Sequence, residues 1–262
     1  MLSRGVALVT GASRGIGRAV ALRLAHDGFE VAVNDLPQGY AQLETLAQEI
    51  SENGRKTMIV VGDVSVDQEV LSMTQSVAKE LGHLDVMVAN AGIGHGAPII
   101  ETPVEDWDRV FSINTRGVFL CYKYAALQMI AQGKGGRIIG ATSCAGERAE
   151  ANQVAYSSSK FAVRGLTQGA AQELGQHGIT VNSYAPGAID TPLLRLVIQQ
   201  FIEKIAGSNG PAILAEEARR TPLGRIGKPE DVAGLVSFLA SPDSAWITGQ
   251  TFSINGGKTL VH

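Results

Sequence analysis

Residues 6–24 read VALVTGASRGIGRAVALRL: an apolar run, a glycine-rich turn and the start of an amphipathic pattern. The apolar run is typical of a strand covered on both faces, and the pattern after the turn predicts a helix. Glycines at positions 11, 15 and 17 permit a tight turn, in which backbone N–H groups can reach a pyrophosphate at the start of the helix. The stretch therefore predicts a strand–turn–helix unit that binds a dinucleotide, although glycines also serve plain turns.

Strand-like and helix-like segments alternate along the rest of the chain. We predict one doubly wound α/β domain of the Rossmann type over residues 1–262, with a seven-stranded parallel sheet, right-handed crossovers and helices on both faces. The predicted strands are Val6–Val9, Glu30–Asn34, Thr57–Val61, Leu84–Ala89, Arg137–Ala141, Thr180–Tyr184 and Thr251–Ile254. The predicted helices lie near 15–27, 39–53, 67–81, 103–132, 153–176 and 229–240.

Residues 191–225 interrupt this alternation between the sixth and seventh predicted strands. The segment is polar and irregular and contains no strand-like run. Long excursions of this kind usually form lids or binding loops rather than packing elements. We therefore expect residues 191–225 to be a substrate-binding lid.

Composition narrows the class of protein. The formal net charge of −3 without a basic run argues against a nucleic-acid or anionic-membrane surface, and no segment approaches the ~20 apolar residues of a membrane span. Cys121 and Cys144 are the only two cysteines, and the five histidines have no metal-ligand spacing. These features predict a soluble, cytoplasmic protein that holds no metal.

The second predicted strand is followed by Asp35, which lies 18 residues after Gly17. An acid at this place can bind both ribose hydroxyls of NAD and would repel the 2′-phosphate of NADP. Arg14 in the glycine turn acts in the opposite direction, because a basic residue there can favour the phosphate. We predict NAD as the cofactor, with NADP less favoured; the alternative role for Asp35 is that of a helix-cap or turn residue.

Tyr156 and Lys160 stand four residues apart in the run VAYSSSKFAVRGL. On a helix this spacing puts both side chains on one face, one turn apart. An ammonium beside the phenol would lower its pKa from the usual ~10 and suit it to general acid/base work. The same spacing also occurs by chance on solvated helix faces.

Several motifs together carry a family resemblance. They are TGASRGIG at 10–17, NAG at 90–92, a serine thirteen residues before Tyr156, YSSSK at 156–160 and PGAIDT at 186–191. From about residue 5 to 258, in this order and spacing, the chain resembles the short-chain dehydrogenase/reductase family.

The resemblance implies a role for each matching residue. Tyr156 would be the acid/base, Lys160 would bind the nicotinamide ribose and lower the phenol pKa, and Ser143 would hold the substrate oxygen. Asn114 would bind a water in a proton relay through Lys160, although an asparagine near a helix start is commonly a cap. Substrate would contact Ser143, Cys144, Tyr156 and Gly187. Besides Tyr156 and Lys160, the cofactor would contact Gly11, Ser13, Arg14, Gly15, Ile16, Gly17, Asp35, Asp63, Val64, Asn90, Ala91, Gly92, Pro186, Gly187, Ile189 and Thr191.

Within the family, the chain is most similar to acetoin (diacetyl) reductases and 2,3-butanediol dehydrogenases. It departs from them at Cys144, where a glutamine is usual, and at Leu193 and Leu194, where a Met-Trp pair is common. Both changes make the expected substrate pocket more apolar, so a bulkier or less polar ketone is an alternative to acetoin.

Three other functions remain open at this point. They are a polyol dehydrogenase, an NADPH-linked 3-oxoacyl-carrier-protein reductase, which Asp35 opposes, and an inactive nucleotide-binding regulator, which the intact set of motif residues opposes. The resemblance also implies a homodimer or homotetramer, formed through the helices predicted at 103–132 and 153–176.

Overall fold

All seven predicted strands are present in a single sheet. The computed structural model describes residues 3–204 and 210–260, with the backbone alone over 200–204. The strands are β1 Val6–Thr10, β2 Glu30–Asp35, β3 Thr57–Val61, β4 Val86–Ala89, β5 Gly136–Ala141, β6 Ile179–Pro186 and β7 Thr251–Ile254. Their order is β3-β2-β1-β4-β5-β6-β7, and every neighbouring pair is parallel. The predicted doubly wound parallel sheet is confirmed.

Helices cover both faces of this sheet. They are α1 Gly15–His26, α2 Tyr40–Glu52, α3 Asp67–Leu81, α4 Val104–Phe111, α5 Val118–Gln132, α6 Val154–Leu174, α7 Pro192–Lys204, α8 Gly210–Arg220 and α9 Pro229–Ala240. One core cluster packs α1, α2 and α9 on the sheet, and a second packs α3, α5 and α6 on its other face. Among the described helices none combines the length and the apolar character that a membrane crossing requires.

Coverage on both faces explains the apolar strands. Every residue of β1 and of β4 is buried, so neither strand has a solvated face that would impose an alternating pattern. The order of the strands reverses between β1 and β4, which carry helices on opposite sides. In such sheets the loops at the carboxyl ends diverge at this point and leave a crevice for ligands.

The predicted helix at 103–132 is continuous but not regular. Residues Ser112–Gly117 between α4 and α5 form a π-helical turn, which widens the helix by one residue. Asn114 lies in this turn and is fully buried. It therefore does not cap a helix start, which was the alternative role for this residue.

The interpretation of residues 191–225 as irregular was wrong, because α7 and α8 occupy most of the segment. Thr191 starts α7: its Oγ1 accepts a hydrogen bond from the Leu194 N–H at 3.3 Å, and Pro192 follows at the first helical position. Buried Ile198 lies one turn after Leu194, on the side of α7 that packs inward. The Thr-Pro cap was the signal in the sequence that could have located this helix.

A buried tyrosine joins the sheet to the helices beside it. Tyr122 of α5 is 2% exposed, and its hydroxyl lies 3.0 Å from the Thr167 hydroxyl of α6. The ring crosses over β5 at Gly140, where a Cβ would stand 2.1 Å from the Tyr122 oxygen. The packing of α5 and α6 on β5 thus requires glycine at this position.

Gly140→Ala tests that packing. The added methyl cannot be accommodated without moving Tyr122, so we expect the free energy of unfolding to fall by about 2 kcal/mol or more in denaturant titrations. The matched control is Gly169→Ala in α6, where nothing lies within 4 Å of the new Cβ and a gain of up to about 1 kcal/mol is expected. Equal stability of the two variants would contradict the conclusion that the packing of Tyr122 requires glycine at position 140.

Candidate active site

The glycine turn after β1 has a separate steric reason for each glycine. Gly11 and Gly15 adopt left-handed backbone conformations, with φ of +64° and +59°. A Cβ at Gly17 would lie 2.2 Å from the carbonyl oxygen of Gly11. The backbone of the glycine turn therefore packs closely against the first turn of α1, and no glycine side chain covers the outer side of this backbone.

The start of α1 is free to bind an anion. Arg14 occupies the N-cap position, none of the described side chains bonds to this end of the helix, and its first turn has no acidic residue. The N–H groups of this turn point outward with the positive end of the helix dipole. Bare glycine backbone and an uncapped helix start together fit a dinucleotide pyrophosphate.

Asp35 lies at the end of β2, next to this turn. One carboxylate oxygen accepts from the Ser13 N–H at 3.1 Å, and the other accepts from the Leu36 N–H at 2.8 Å. These bonds match the turn role considered above, and each oxygen keeps a lone pair for a further donor. Arg14 is exposed at the rim, whereas Ser13 is buried behind the turn.

Asn90 ties the ends of three strands together. Its amide nitrogen donates to the Thr10 carbonyl at 2.8 Å and to the Gly11 carbonyl at 3.2 Å, and its amide oxygen accepts from the Tyr184 hydroxyl at 2.8 Å. Thr10 Oγ1 in turn accepts from the N–H groups of Asn90 and Ala91, at 3.0 and 3.1 Å. These hydrogen bonds around Asn90, which we call the clamp, hold the glycine turn against the end of β4.

Asp63 and Val64 follow β3 at the same edge of the sheet. The Asp63 carboxylate accepts from both the backbone N–H and the hydroxyl of Ser65, at 2.8 Å each, and so closes its own turn. Val64 is 7% exposed and packs on Gly117 in the π-helical turn, where a Cβ would stand 2.9 Å from its Cγ2.

Ser143, Tyr156 and Lys160 converge beyond the end of β5. Ser143 Oγ accepts from the Ala145 N–H at 3.2 Å, which fixes the serine at the start of a one-turn 3₁₀ helix. Tyr156 and Lys160 share one face of α6, as their spacing predicts. The Lys160 ammonium donates to the Ala141 carbonyl at 2.9 Å and lies 5.7 Å from the centre of the Tyr156 ring.

Asn114 stands directly behind this group. Its amide nitrogen donates to the Ile93 carbonyl at 2.9 Å and to Ser159 Oγ at 3.2 Å, and its amide oxygen accepts from the Ile93 N–H at 2.9 Å. A Cβ at Gly92 would lie 3.2 Å from that oxygen and 3.4 Å from Lys160 Nζ. Gly92 thus leaves a small gap between the asparagine and the lysine.

The ionisation of the tyrosine differs from the expectation. Burial raises the pKa of Tyr156 to about 12, and a hydrogen bond with Ser143 only moderates the rise. Lys160 does not offset it, because its ammonium is bonded to Ala141 rather than to the phenol. Burial lowers the pKa of Lys160 itself to about 8. The prediction of a lowered phenol pKa is wrong for this arrangement of the side chains.

One cleft of about 780 Å³ brings the predicted residues together. Ser13 and Asn114 lie behind its wall. The predicted residues that line it are Gly11, Arg14, Gly15, Ile16, Gly17, Asp35, Asp63, Val64, Asn90, Ala91, Gly92, Ser143, Cys144, Tyr156, Lys160, Pro186, Gly187, Ile189 and Thr191.

The sequence interpretation missed several polar residues of the cleft. They are His95, Glu150, Gln153, Glu217 and Lys258. Leu193 and Leu194 do line the cleft, but these polar neighbours make it less apolar than expected. No motif marks them; the one readable signal is the pair Ile213 and Glu217, whose spacing puts both on one face of α8.

Comparisons with known proteins agree with this geometry. Residues 11–259 match the family model described as enoyl-(acyl carrier protein) reductase. A short-chain dehydrogenase/reductase of Armillaria gallica is 51% identical, with 96% of this chain and 95% of that protein covered. The L-2,3-butanediol dehydrogenase of Corynebacterium glutamicum is 42% identical, with 96% of this chain and 97% of that protein covered. The crystal structure of levodione reductase has a TM-score of 0.92 and 32% identity, with 98% of each chain covered.

Lys160→Met tests the burial of the ammonium. The folded-state pKa of about 8 lies below the ordinary 10.5, so the charged lysine costs stability below pH 8 and the cost disappears by about pH 10.5. We expect the variant to be more stable than the parent by about 1–3 kcal/mol at pH 7, since a methionine avoids the desolvation. Denaturant titrations at pH 7 and pH 10 measure the gain, which should shrink at the higher pH. A gain in stability that does not change with pH would contradict desolvation of the Lys160 ammonium as its cause.

Proposed function

The chain belongs to the short-chain dehydrogenase/reductase family, and on that premise we propose that it is an NAD(H)-dependent oxidoreductase that interconverts a secondary alcohol and a ketone. The observation that carries the proposal is the shared cleft. The wall that bears the glycine turn and Asp35 continues without interruption to Ser143, Tyr156 and Lys160. A dinucleotide held at one end would reach the acid/base group at the other.

Two features of the cleft support NAD over NADP. The Asp35 carboxylate adjoins the glycine turn and can accept further hydrogen bonds, which suits ribose hydroxyls and opposes a phosphate. Arg14 is exposed at the rim, where it can contact a pyrophosphate or solvent as well as a 2′-phosphate. The carboxylate is the better positioned of the two because the backbone of Ser13 and Leu36 holds it in place.

The residues of the chain would orient and protonate the substrate, while the bound nicotinamide would supply or accept the hydride. Ser143 and Tyr156 offer two hydroxyl donors to the substrate oxygen, which gains negative charge as a ketone is reduced. Tyr156 would deliver the proton, because at neutral pH a phenol with a pKa of about 12 is protonated. Alcohol oxidation requires the reverse transfer, and it would be faster once the Lys160 ammonium approached the phenol.

The substrate class follows from the relatives and from the cleft. Similarity to L-2,3-butanediol dehydrogenase supports an acetoin- or diol-type substrate, and similarity to levodione reductase supports a larger ketone. Leu193, Leu194 and Ile213 provide apolar surface, while Gln153 and Lys258 provide donors. A polyol dehydrogenase would use the same residues and remains the nearest alternative.

The matching family model favours one further candidate, an NADPH-linked reductase of carrier-bound acyl groups. Asp35 opposes the NADPH part of this candidate. Glu150 opposes the carrier part, because its charge would repel the phosphate of a carrier arm. An inactive regulator is disfavoured because Ser143, Tyr156 and Lys160 meet in one cleft.

We also propose that the enzyme is a cytoplasmic homodimer or homotetramer. Large apolar side chains on α5 and α6, Phe119, Leu127 and Phe161, are 41–55% exposed on the monomer. A contact between copies through these helices would bury them.

Asp35→Ala tests the cofactor choice. We expect the parent to prefer NADH over NADPH in kcat/KM, and the variant to reduce that preference by about 10- to 100-fold, because it removes the like charge facing the 2′-phosphate. The matched control is Asp243→Ala, which removes an exposed acid outside the cleft and should leave the ratio unchanged. Equal use of both cofactors by the parent would refute the role of Asp35.

Tyr156→Phe tests the proton donor. Loss of the hydroxyl should lower kcat by about 10³-fold or more, while the Kd for NADH, measured by fluorescence titration, changes by less than about threefold. Tyr124→Phe is the matched control: it removes a hydroxyl that donates to Asp67 at 2.8 Å, outside the cleft. Retained turnover in Tyr156→Phe would place the proton donor elsewhere.

A further inference from the structure

An ion pair lies in the wall of the cleft. Lys258, in the turn after β7, donates to a carboxylate oxygen of Glu217 on α8. The two side chains are only 16% and 21% exposed, and both line the cleft. The pair is therefore far more enclosed than an ordinary surface ion pair and faces the space that a substrate would fill.

The turn that carries Lys258 is fixed beside the candidate catalytic residues. A Cβ at Gly187, at the end of β6, would stand 2.9 Å from the Cα of Asn255. Asn255 in turn closes the loop, because its amide nitrogen donates to the Thr259 carbonyl at 2.7 Å. The ammonium also lies near Cys144, the residue after Ser143: burial raises the pKa of that thiol, and the charge of Lys258 opposes part of the rise.

Charges of both signs line the cleft. Glu150 and Glu217 contribute negative charge, and Lys160 and Lys258 contribute positive charge. The Lys258 ammonium is already paired with Glu217, so an anionic substrate would have to compete with that carboxylate, whereas a neutral oxygen would not.

We propose that Lys258 is a specificity-determining residue that donates a hydrogen bond to a second oxygen of a neutral substrate, a hydroxyl or carbonyl oxygen close to the reacting carbon. The inference rests on the proposed oxidoreductase function and narrows its substrate class to hydroxyketones, diketones and diols. An ammonium has three N–H groups, and only one is needed for Glu217. The free oxygen of Glu217 can accept from a substrate hydroxyl, so the pair can bind both the donor and the acceptor of such a group.

The ion pair supplies polar groups that the residue next to Ser143 does not. Cys144 offers no amide to bind a second substrate oxygen, whereas Lys258 and Glu217 line the same cleft and offer both a donor and an acceptor. A site built to bind such an oxygen discriminates against substrates without it, because its own polar groups would stay unpaired.

The test compares two four-carbon ketones that differ only in the second oxygen, acetoin and 2-butanone, with NADH as the reductant. We expect the parent enzyme to prefer acetoin in kcat/KM. Lys258→Met should lower kcat/KM for acetoin by about 10- to 100-fold and change that for 2-butanone by less than about threefold. Lys134→Met, an exposed lysine outside the cleft, is the matched control and should change neither.

Glu217→Gln distinguishes a role of the ion pair in substrate recognition from a purely structural role. This variant loses the ion pair but keeps the ammonium, so its loss for acetoin should be smaller than that of Lys258→Met. If the pair only fastened α8 to the turn after β7, both variants would slow both ketones alike. Thermal unfolding and NADH titration show that each variant is folded and binds the cofactor.

The possible outcomes distinguish a failure of the inference about Lys258 from a failure of the proposed oxidoreductase function. A parallel loss for both ketones, or a parent that reduces 2-butanone as well as acetoin, overturns the inference and leaves the oxidoreductase function standing. Preferential reduction of a 2-oxo acid such as pyruvate, lost in Lys258→Met, shows that the lysine binds a carboxylate and overturns the neutral-substrate claim. Turnover of no ketone by a parent that binds NADH overturns both proposals.

Discussion

The amide of Asn90 is the contact on which the cleft depends. Its two hydrogen bonds to Thr10 and Gly11 hold the glycine turn, and its third, from Tyr184, reaches β6 across the sheet. β1 and β4 are paired directly, whereas β5 separates β4 from β6, so the bond from Tyr184 adds a second connection between β4 and β6. Asn90 is half-buried and lines the cleft, and both of its amide N–H groups are used by these bonds.

The candidate catalytic residues are held by the same kind of constraint. Asn114 uses its whole amide to join the loop after β4 to α6, and Gly92 leaves the gap between this amide and Lys160. Burial in this crowded region pushes the pKa of Tyr156 up and that of Lys160 down, so both groups disfavour their charged forms. Burying these two groups therefore costs folding free energy, as is common at sites that exchange a proton near neutrality.

Some features were predictable because they depend on local pattern alone. All of β1 and β4 is buried, so their apolar runs VALV and VMVA were readable as parallel strands. The spacing of Tyr156 and Lys160 correctly placed both on one face of α6. The helices at 192–204 and 210–220 were missed, because the segment was interpreted as polar although α7 reads PLLRLVIQQFIEK and follows a Thr-Pro cap. The π-helical turn at Asn114 has no local signature, since it depends on contacts with residues 93 and 159.

By itself the sequence determined the class of fold, the order of the strands along the chain and the residues that could form a dinucleotide site. These depend on periodicity and on short spacings, which act within one element and the turn after it. Only the tertiary structure decided that the Lys160 ammonium bonds to Ala141 instead of the phenol, and that Lys258 pairs with Glu217 in the wall of the cleft. Both contacts join segments remote in the chain, so their geometry is set by how helices and loops pack on the sheet and by the desolvation that follows.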